Sequence, residues 1–227
     1  MNNLLKKNIL VYYISIILIS LTRALPHSIL TLILFEKGLT IANIAVVQAM
    51  YSLAILLFEI PSGLWADLYS RKQLYILSNI MLLIMCLLIY YSHNYYLICF
   101  IWFLYGVSDS INSGTIEATI INDIKKEKNS KLHINRFIKL SNQFSLVAVI
   151  IGSLLGSYLY FNYGLKFYFL SIVLCFLSIL IISIFFEEYS TPILKGNASL
   201  KQQIKVSIYE LKKSRELKLL FILSIVN

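Results

Sequence analysis

Charged side chains stand inside two of the most apolar stretches of this sequence, and they are the residues best placed to do chemistry. Arg23 lies within the stretch of residues 8–35, and Asp109 lies within the stretch of residues 97–121. A charge inside an apolar helix is costly, so it normally faces a bundle interior or a water-filled cavity. Arg23 and Asp109 therefore predict a polar site inside a helical bundle.

Helical periodicity gathers further polar residues around each of these two charges. At 100° per residue, the polar residues span an arc of about 80° on the first stretch and roughly 140° on the other. Such stripes are what a solvated substrate path requires, although buried polar residues can also be purely structural links between helices. The stripes consist of Tyr13, Ser20, Arg23, His27 and Thr31, and of Tyr105, Gly106, Asp109, Asn112, Ser113 and Glu117.

Arg23 and Asp109 are expected at similar depth, because each lies roughly 20 Å along its helix from the same membrane face. We predict that they interact directly or through water, and that Asp109 is the group that takes up a proton. A permanent structural pair is the alternative. The candidate cavity and coupling residues are Arg23, His27, Asp109, Asn112 and Glu117.

The composition explains which elements can position these residues. Of 227 residues, 59% are hydrophobic and only 14% are charged, and the mean hydropathy is +0.77. A water-soluble domain of this size could not bury so much apolar surface. One span needs about 20 apolar residues, so the chain is predicted to be an all-α membrane protein with six transmembrane helices. The three cysteines lie in apolar stretches, and no spacing indicates a cofactor or a metal site.

The predicted organisation has three parts. Residues 1–186 form an N-terminal six-helix bundle, residues 187–216 form a cytoplasmic loop with an amphipathic helix, and residues 217–227 begin a seventh span that stops short. The chain is therefore expected to be the first part of a longer protein. A second interfacial helix is predicted over residues 134–141. The six spans are expected at residues 8–35, 41–66, 73–91, 97–121, 140–161 and 165–186.

The net charge of +9 is best interpreted by position. With the N-terminus inside, seventeen of the 20 Lys and Arg residues face the cytoplasm, whereas Lys37 and Lys166 face outward and Arg23 lies within a span. Cytoplasmic loops carry this excess in membrane proteins. The sequence therefore predicts a multi-pass protein of the plasma membrane that interacts with the lipid bilayer and not with nucleic acid.

The turn between the second and third stretches carries a more specific pattern, in which Gly63, Asp67, Arg71 and Lys72 have fixed spacing. It resembles the signature loop of the major facilitator superfamily, from which Leu68 and Ser70 depart. Two further segments, residues 59–63 and 113–118, resemble drug and sugar exporters of that superfamily. The resemblance extends over nearly the whole chain.

The resemblance implies half of a twelve-helix transporter, built from two inverted three-helix repeats whose first and fourth helices line the cavity. It implies that Asp67 and Arg71 stabilise the outward-open state against a C-terminal half. The expected function is secondary active transport of a small molecule by alternating access, with proton-coupled efflux as a specific form. The family's fourth-helix arginine has no counterpart near Leu104, so the coupling ion remains open.

A non-transporting polytopic subunit or receptor is the main alternative to a transporter. An intramembrane protease is disfavoured, because Ser113 lacks a glycine two residues before it and the three histidines lie at different depths. The chain is thus predicted not to be an enzyme, and its substrate and transport direction remain open.

Overall fold

The computed structural model describes residues 2–188, and this part of the chain is helical throughout, with short turns. The predicted loop and the predicted seventh span fall almost entirely on residues 189–227, which lie outside the described residues. The helices are α1 (Asn3–His27), α2 (Leu30–Glu36), α3 (Ile41–Leu68), α4 (Arg71–Tyr91), α5 (Tyr95–Asn112), α6 (Ile116–Ile124), α7 (Ser130–Tyr163) and α8 (Tyr168–Phe185), with a 3-10 turn at Gly164–Phe167.

These helices make the six passes of an all-α membrane protein, as predicted. Four segments are long and apolar enough to cross a membrane, and the last of them contains both α7 and α8. The remaining pass is α5 with α6, in which Asp109 and Asn112 lower the hydropathy. The four segments are Asn3–His27, Ile41–Leu68, Arg71–Tyr91 and Ser130–Phe185.

The first pass is broken within the span that the sequence predicted over residues 8–35. α1 ends at His27 and α2 begins at Leu30. Pro26 has no backbone N–H to donate, so it removes one bond of the helix. The amide of Ile29 then bonds the carbonyl of Pro26 at 3.3 Å, which closes a tighter turn.

The fourth pass is broken as well, and this corrects the prediction of one polar stripe over residues 97–121. α5 ends at Asn112, and α6 begins at Ile116. Gly114 has φ +72° between them, a conformation that interrupts a right-handed helix. Glu117 therefore lies on a separate helix and shares no continuous face with Asp109.

The packing repeats itself between the two halves of the bundle. α1 packs against α7 and α8, whereas α5 packs against α3 and α4, and α4 meets α8. The first pass thus contacts the fifth and sixth, and the fourth pass contacts the second and third. This exchange of partners is the pattern of two inverted three-helix repeats.

Glycines permit close approach between two pairs of helices. A Cβ on Gly156 of α7 would lie 2.0 Å from the carbonyl oxygen of Leu25 on α1. A Cβ on Gly106 of α5 would lie 2.4 Å from the carbonyl oxygen of Tyr51 on α3. Gly152 and Gly156 of α7 both face α1, and such small residues let helices approach closely.

α7 is one continuous helix of 34 residues, so the prediction of a separate interfacial helix over residues 134–141 is wrong. No proline or glycine occurs between Ser130 and Ile151, and the segment packs onto α1. Phe137 is buried there, with its ring stacked on Tyr13 at a centroid distance of 5.8 Å.

A buried lysine joins two turns at the end of the bundle remote from the N-terminus. Lys37 follows α2, and its ammonium donates to the carbonyl of Ser92 at 2.8 Å. Burial lowers the pKa of Lys37, because removal from water disfavours the charged form. The bond connects the turn before α3 with the turn before α5.

Candidate functional site

An ion pair joins the first and fourth passes. Nη1 of Arg23 on α1 contacts Oδ1 of Asp109 on α5, so the predicted interaction is direct. The hydroxyl of Tyr51 on α3 donates to Oδ2 of Asp109 at 2.6 Å. The guanidinium carbon of Arg23 lies 5.9 Å from the centroid of the Tyr105 ring, within cation–π range. Side chains from the first and second passes therefore both bind one carboxylate of the fourth pass.

The guanidinium of Arg23 can donate further hydrogen bonds. Its Nε and Nη2 atoms are buried and have no hydrogen-bond partner within residues 2–188. A buried donor without a partner costs about 1–3 kcal/mol, and more when it is charged. The guanidinium thus donates to one partner, and its Nε and Nη2 atoms keep three N–H groups free to donate within the described residues.

A cavity of about 80 Å³ lies on one side of the ion pair, at the C-terminal end of α1. Arg23 and His27 line it, together with Gln48 of α3. Its remaining wall is rich in aromatic side chains, which offer apolar surface and ring faces to a ligand. The aromatic members are Tyr51, Trp102, Tyr105 and Tyr168.

A second cavity of about 550 Å³ lies on the other side of the pair, between the C-terminal ends of α3 and α5. Asp109 and Asn112 line it, and Oδ1 of Asn112 is buried without a partner among the described residues. The ion pair therefore separates two cavities at opposite ends of the bundle. The other lining residues are Ile55, Glu59, Ser62, Gly63, Ser110, Ser113 and Gly114.

Glu117 lies apart from both cavities. Its carboxylate accepts a long hydrogen bond of 3.5 Å from the Tyr12 hydroxyl on α1. The break at Gly114 puts this residue on the separate helix α6. Glu117 therefore does not join the other cavity candidates, contrary to the stripe that the sequence predicted.

The polar stripe of the first pass divides in two. The Tyr13 hydroxyl donates to the carbonyl of Phe137 at 3.4 Å, and Ser20 shares a bond of 2.9 Å with Ser145. Both partners belong to α7, so these two residues link helices. Arg23 and His27 are the members of the stripe that line the first cavity.

The signature-loop residues lie where α3 meets α4. Nη2 of Arg71 is 3.5 Å from Oδ1 of Asp67, and its Nε donates to the carbonyl of Ala66 at 3.3 Å. Lys72 donates to two carbonyls at the end of α8, those of Ser183 and Phe186. Gly63 lies apart from this cluster, at the wall of the second cavity.

Glu188 completes the loop, and sequence reasoning missed it. Its carboxylate accepts from the Ser70 hydroxyl and from the backbone N–H of Arg71 at 3.0 Å. Ser70 stands where the superfamily pattern has glycine. Nothing in the spacing of Glu188 marks it, because the contact depends on how α8 ends beside α4.

The fold and the site define a class: a multi-pass membrane protein whose inverted helix triplets surround a charged pair between two cavities. Residues 12–227 match the sequence profile of the Major Facilitator Superfamily, so the chain belongs to that family. In the part that the structure describes, no three His, Cys, Asp or Glu side chains are grouped to hold a metal ion.

A solved structure has the same fold. The crystal structure of the nucleoside transporter NupG aligns with a TM-score of 0.68 over 97% of this chain and 53% of that one, at 14% identity. The chain thus spans about half the length of the transporter that it matches, and at this identity the likeness concerns the fold alone. A search of curated proteins found no match.

Proposed function

We propose that this chain forms one six-helix half of a secondary active transporter that moves a small molecule across the plasma membrane by alternating access. Membership in the Major Facilitator Superfamily supports this proposal. The observation that carries it is the Arg23–Asp109 pair, which separates a cavity at one end of the bundle from a cavity at the other. Alternating access requires a barrier between a site that opens to one side of the membrane and a site that opens to the other, and the pair lies where such a barrier would be.

The proposed coupling step is protonation of Asp109. An isolated charge at membrane depth costs on the order of 3 kcal/mol or more, so the ionised carboxylate keeps Arg23 close. A proton on Asp109 removes that attraction and leaves the guanidinium to an anionic or polar group of the substrate. Loss of the proton restores the pair and expels the substrate, which links transport to a proton gradient.

The proposed conformational switch is the loop of Asp67 and Arg71, which lies where α3 ends and α4 begins. Their pair spans α3 and the start of α4, while Lys72 ties α4 to the end of α8. A second six-helix unit would dock against this loop in one state and leave it in the other. The partner in this proposal is a C-terminal half or, failing that, a second copy.

The proposed orientation places the N-terminus and the Asp67–Arg71 loop in the cytoplasm. The asymmetry of Lys and Arg between alternate loops supports it. Under this orientation the cavity of Arg23 and His27 lies toward the outside, and the cavity of Asn112 lies toward the cytoplasm.

The test is transport by a transport-competent protein containing this bundle, reconstituted in liposomes with an internal pH dye. Labelled nucleosides are the first substrates to try, because the similar solved structure is of a nucleoside transporter, followed by sugars and hydrophobic cations. We expect substrate-driven proton movement, and we expect Asp109→Asn to abolish its dependence on external pH.

Two controls make this test decisive. Asp123→Asn removes an equal charge from a carboxylate that pairs with Lys126 at 2.7 Å, away from both cavities, and it should transport normally. In the swapped variant Arg23→Asp/Asp109→Arg, full rescue with unaltered pH dependence would assign the pair a structural role. Normal pH dependence in Asp109→Asn would end the coupling proposal.

A further inference from the structure

A third cavity, of about 490 Å³, lies between α1 and α7 at the N-terminal end of both helices. Its rim is basic, with Lys6 from α1 and His133 and Arg136 from α7. Its inner wall is apolar and aromatic, and it includes Tyr13 and Phe137. This cavity is remote from the Arg23–Asp109 pair and belongs to no part of the proposed transport path.

Helical spacing explains why these side chains share one space. Lys6 and Tyr13 are seven residues apart and therefore lie on one face of α1. His133, Arg136 and Phe137 are three or four residues apart and lie on one face of α7. Phe137 is 2% exposed and stacks on Tyr13, with 22° between the ring planes. The aromatic contact holds the two basic helix faces at a fixed separation.

The cavity lies at the level of lipid headgroups. α7 has 34 residues and is therefore about 51 Å long, whereas the hydrocarbon core is about 30 Å thick. The charged residues of α7 are confined to its first ten positions, 130–139, so this end extends beyond the hydrocarbon. The basic rim thus meets the headgroups, and the apolar wall continues toward the acyl chains.

The rim carries an excess of positive charge. Lys6, His133 and Arg136 form no ion pair within residues 2–188, and no acidic residue lines their cavity. An opposing charge, Glu127, interacts electrostatically with His133 from a neighbouring cavity. The lining of that cavity, of about 270 Å³, is not purely basic. Its lining includes Asp123 and Glu127 together with a lysine.

We propose that the cavity between α1 and α7 binds one anionic phospholipid. The headgroup phosphate accepts hydrogen bonds from Lys6, Arg136 and His133, and an acyl chain lies along Phe137. Basic pockets between transmembrane helices recognise such headgroups, and each Lys or Arg near the surface strengthens binding about fivefold. The lipid bridges α1 and α7, two helices that already pack along their length.

The test is native mass spectrometry of the purified full chain in detergent, titrated with dioleoyl-phosphatidylglycerol or dioleoyl-phosphatidylcholine. We expect one phosphatidylglycerol to be retained, with at least tenfold preference over phosphatidylcholine. The double variant Lys6→Gln/Arg136→Gln should bind it about 25-fold more weakly. The conservative variant Lys6→Arg/Arg136→Lys should retain it, with unfolding temperatures showing that both variants are folded.

The matched control is Lys125→Gln/Lys126→Gln, which removes the same charge at the same end of the bundle from two exposed positions. It should bind phosphatidylglycerol within twofold of the unmodified chain. An equal loss in this control would reduce the effect to general charge attraction and overturn the site. The site would also be refuted if free inorganic phosphate at millimolar concentration displaced the lipid completely, because the acyl contact would then contribute nothing.

Discussion

At the scale of single residues, Asp109 is distinguished by having a different donor at each carboxylate oxygen. Arg23 binds Oδ1 and Tyr51 binds Oδ2, so two other helices respond to the charge of one side chain. Hydrogen bonds to a charged group contribute about 1.5–3 kcal/mol each. Both interactions are charge-assisted, and together they hold α1 and α3 against α5.

The variant Tyr51→Phe tests this arrangement by removing one donor and keeping the ring. Loss of a hydrogen bond to the carboxylate costs about 1.5–3 kcal/mol, so transport by this variant should be about tenfold slower. Transport assays in liposomes measure this rate. Tyr105→Phe is the matched control, because its ring keeps the contact with Arg23. An unchanged rate in Tyr51→Phe would contradict a role for this tyrosine at the ion pair.

The ion pair was predictable from sequence, whereas its tyrosine was not. Arg23 and Asp109 stand out because an intramembrane charge demands a partner at similar depth. Tyr51 is one of 16 tyrosines, and a tyrosine in an apolar helix is compatible with packing, with the membrane interface or with a hydrogen bond. Its role depends on the α3–α5 contact, which no local pattern encodes.

At the scale of elements, the count of passes followed from hydropathy, but the two breaks did not. Pro26 lies in the last turn of α1, and a proline in an apolar stretch can either kink a helix or end it. Gly114 adopts φ +72°, but the same residue type occurs in α5 and α7 within regular helix. Tertiary packing decides between these outcomes, and it therefore also decided that Glu117 lies apart from Asp109.

Gly156→Ala should destabilise the bundle by about 1–3 kcal/mol, because its new methyl group would press on the backbone of α1 at Leu25. Backbone atoms cannot move aside as a flexible side chain can, so α1 and α7 must separate. Thermal unfolding in detergent checks this. Gly63→Ala is the control, since its Cβ would meet no atom within 4 Å. Equal unfolding temperatures for the two variants would contradict the packing role of Gly156.

Asp67→Asn should lower the rate of transport and leave substrate affinity within a few-fold. Asp67 pairs with Arg71 at the junction of α3 and α4, and it lines neither of the two cavities beside the ion pair. Concentration-dependent uptake separates the maximal rate from the half-saturating concentration. A large loss of affinity at an unchanged rate would refute a role in conformational switching.

At the scale of the whole molecule, the inverted exchange of helix partners was implied by the family resemblance. The proposed orientation in the membrane rests on the asymmetry of Lys and Arg between alternate loops. Single cysteines in a background without Cys86, Cys99 and Cys175 test that orientation. Asn94→Cys should react with an impermeant maleimide from outside, and Lys128→Cys only after the membrane is opened. Labelling of position 128 in intact cells would reverse the topology.

We propose that the Arg23–Asp109 pair is a barrier whose two sides open in alternation. Gln48→Cys places a thiol in the cavity of His27, and Ser113→Cys places one in the cavity of Asn112. The decisive measurement is the rate of maleimide labelling at both positions, in a transport-competent protein free of native cysteines, while pH and substrate are varied. We expect the two rates to change in opposite directions, and Asp109→Asn to abolish that response. Rates that stay constant, or that rise and fall together, would contradict the account.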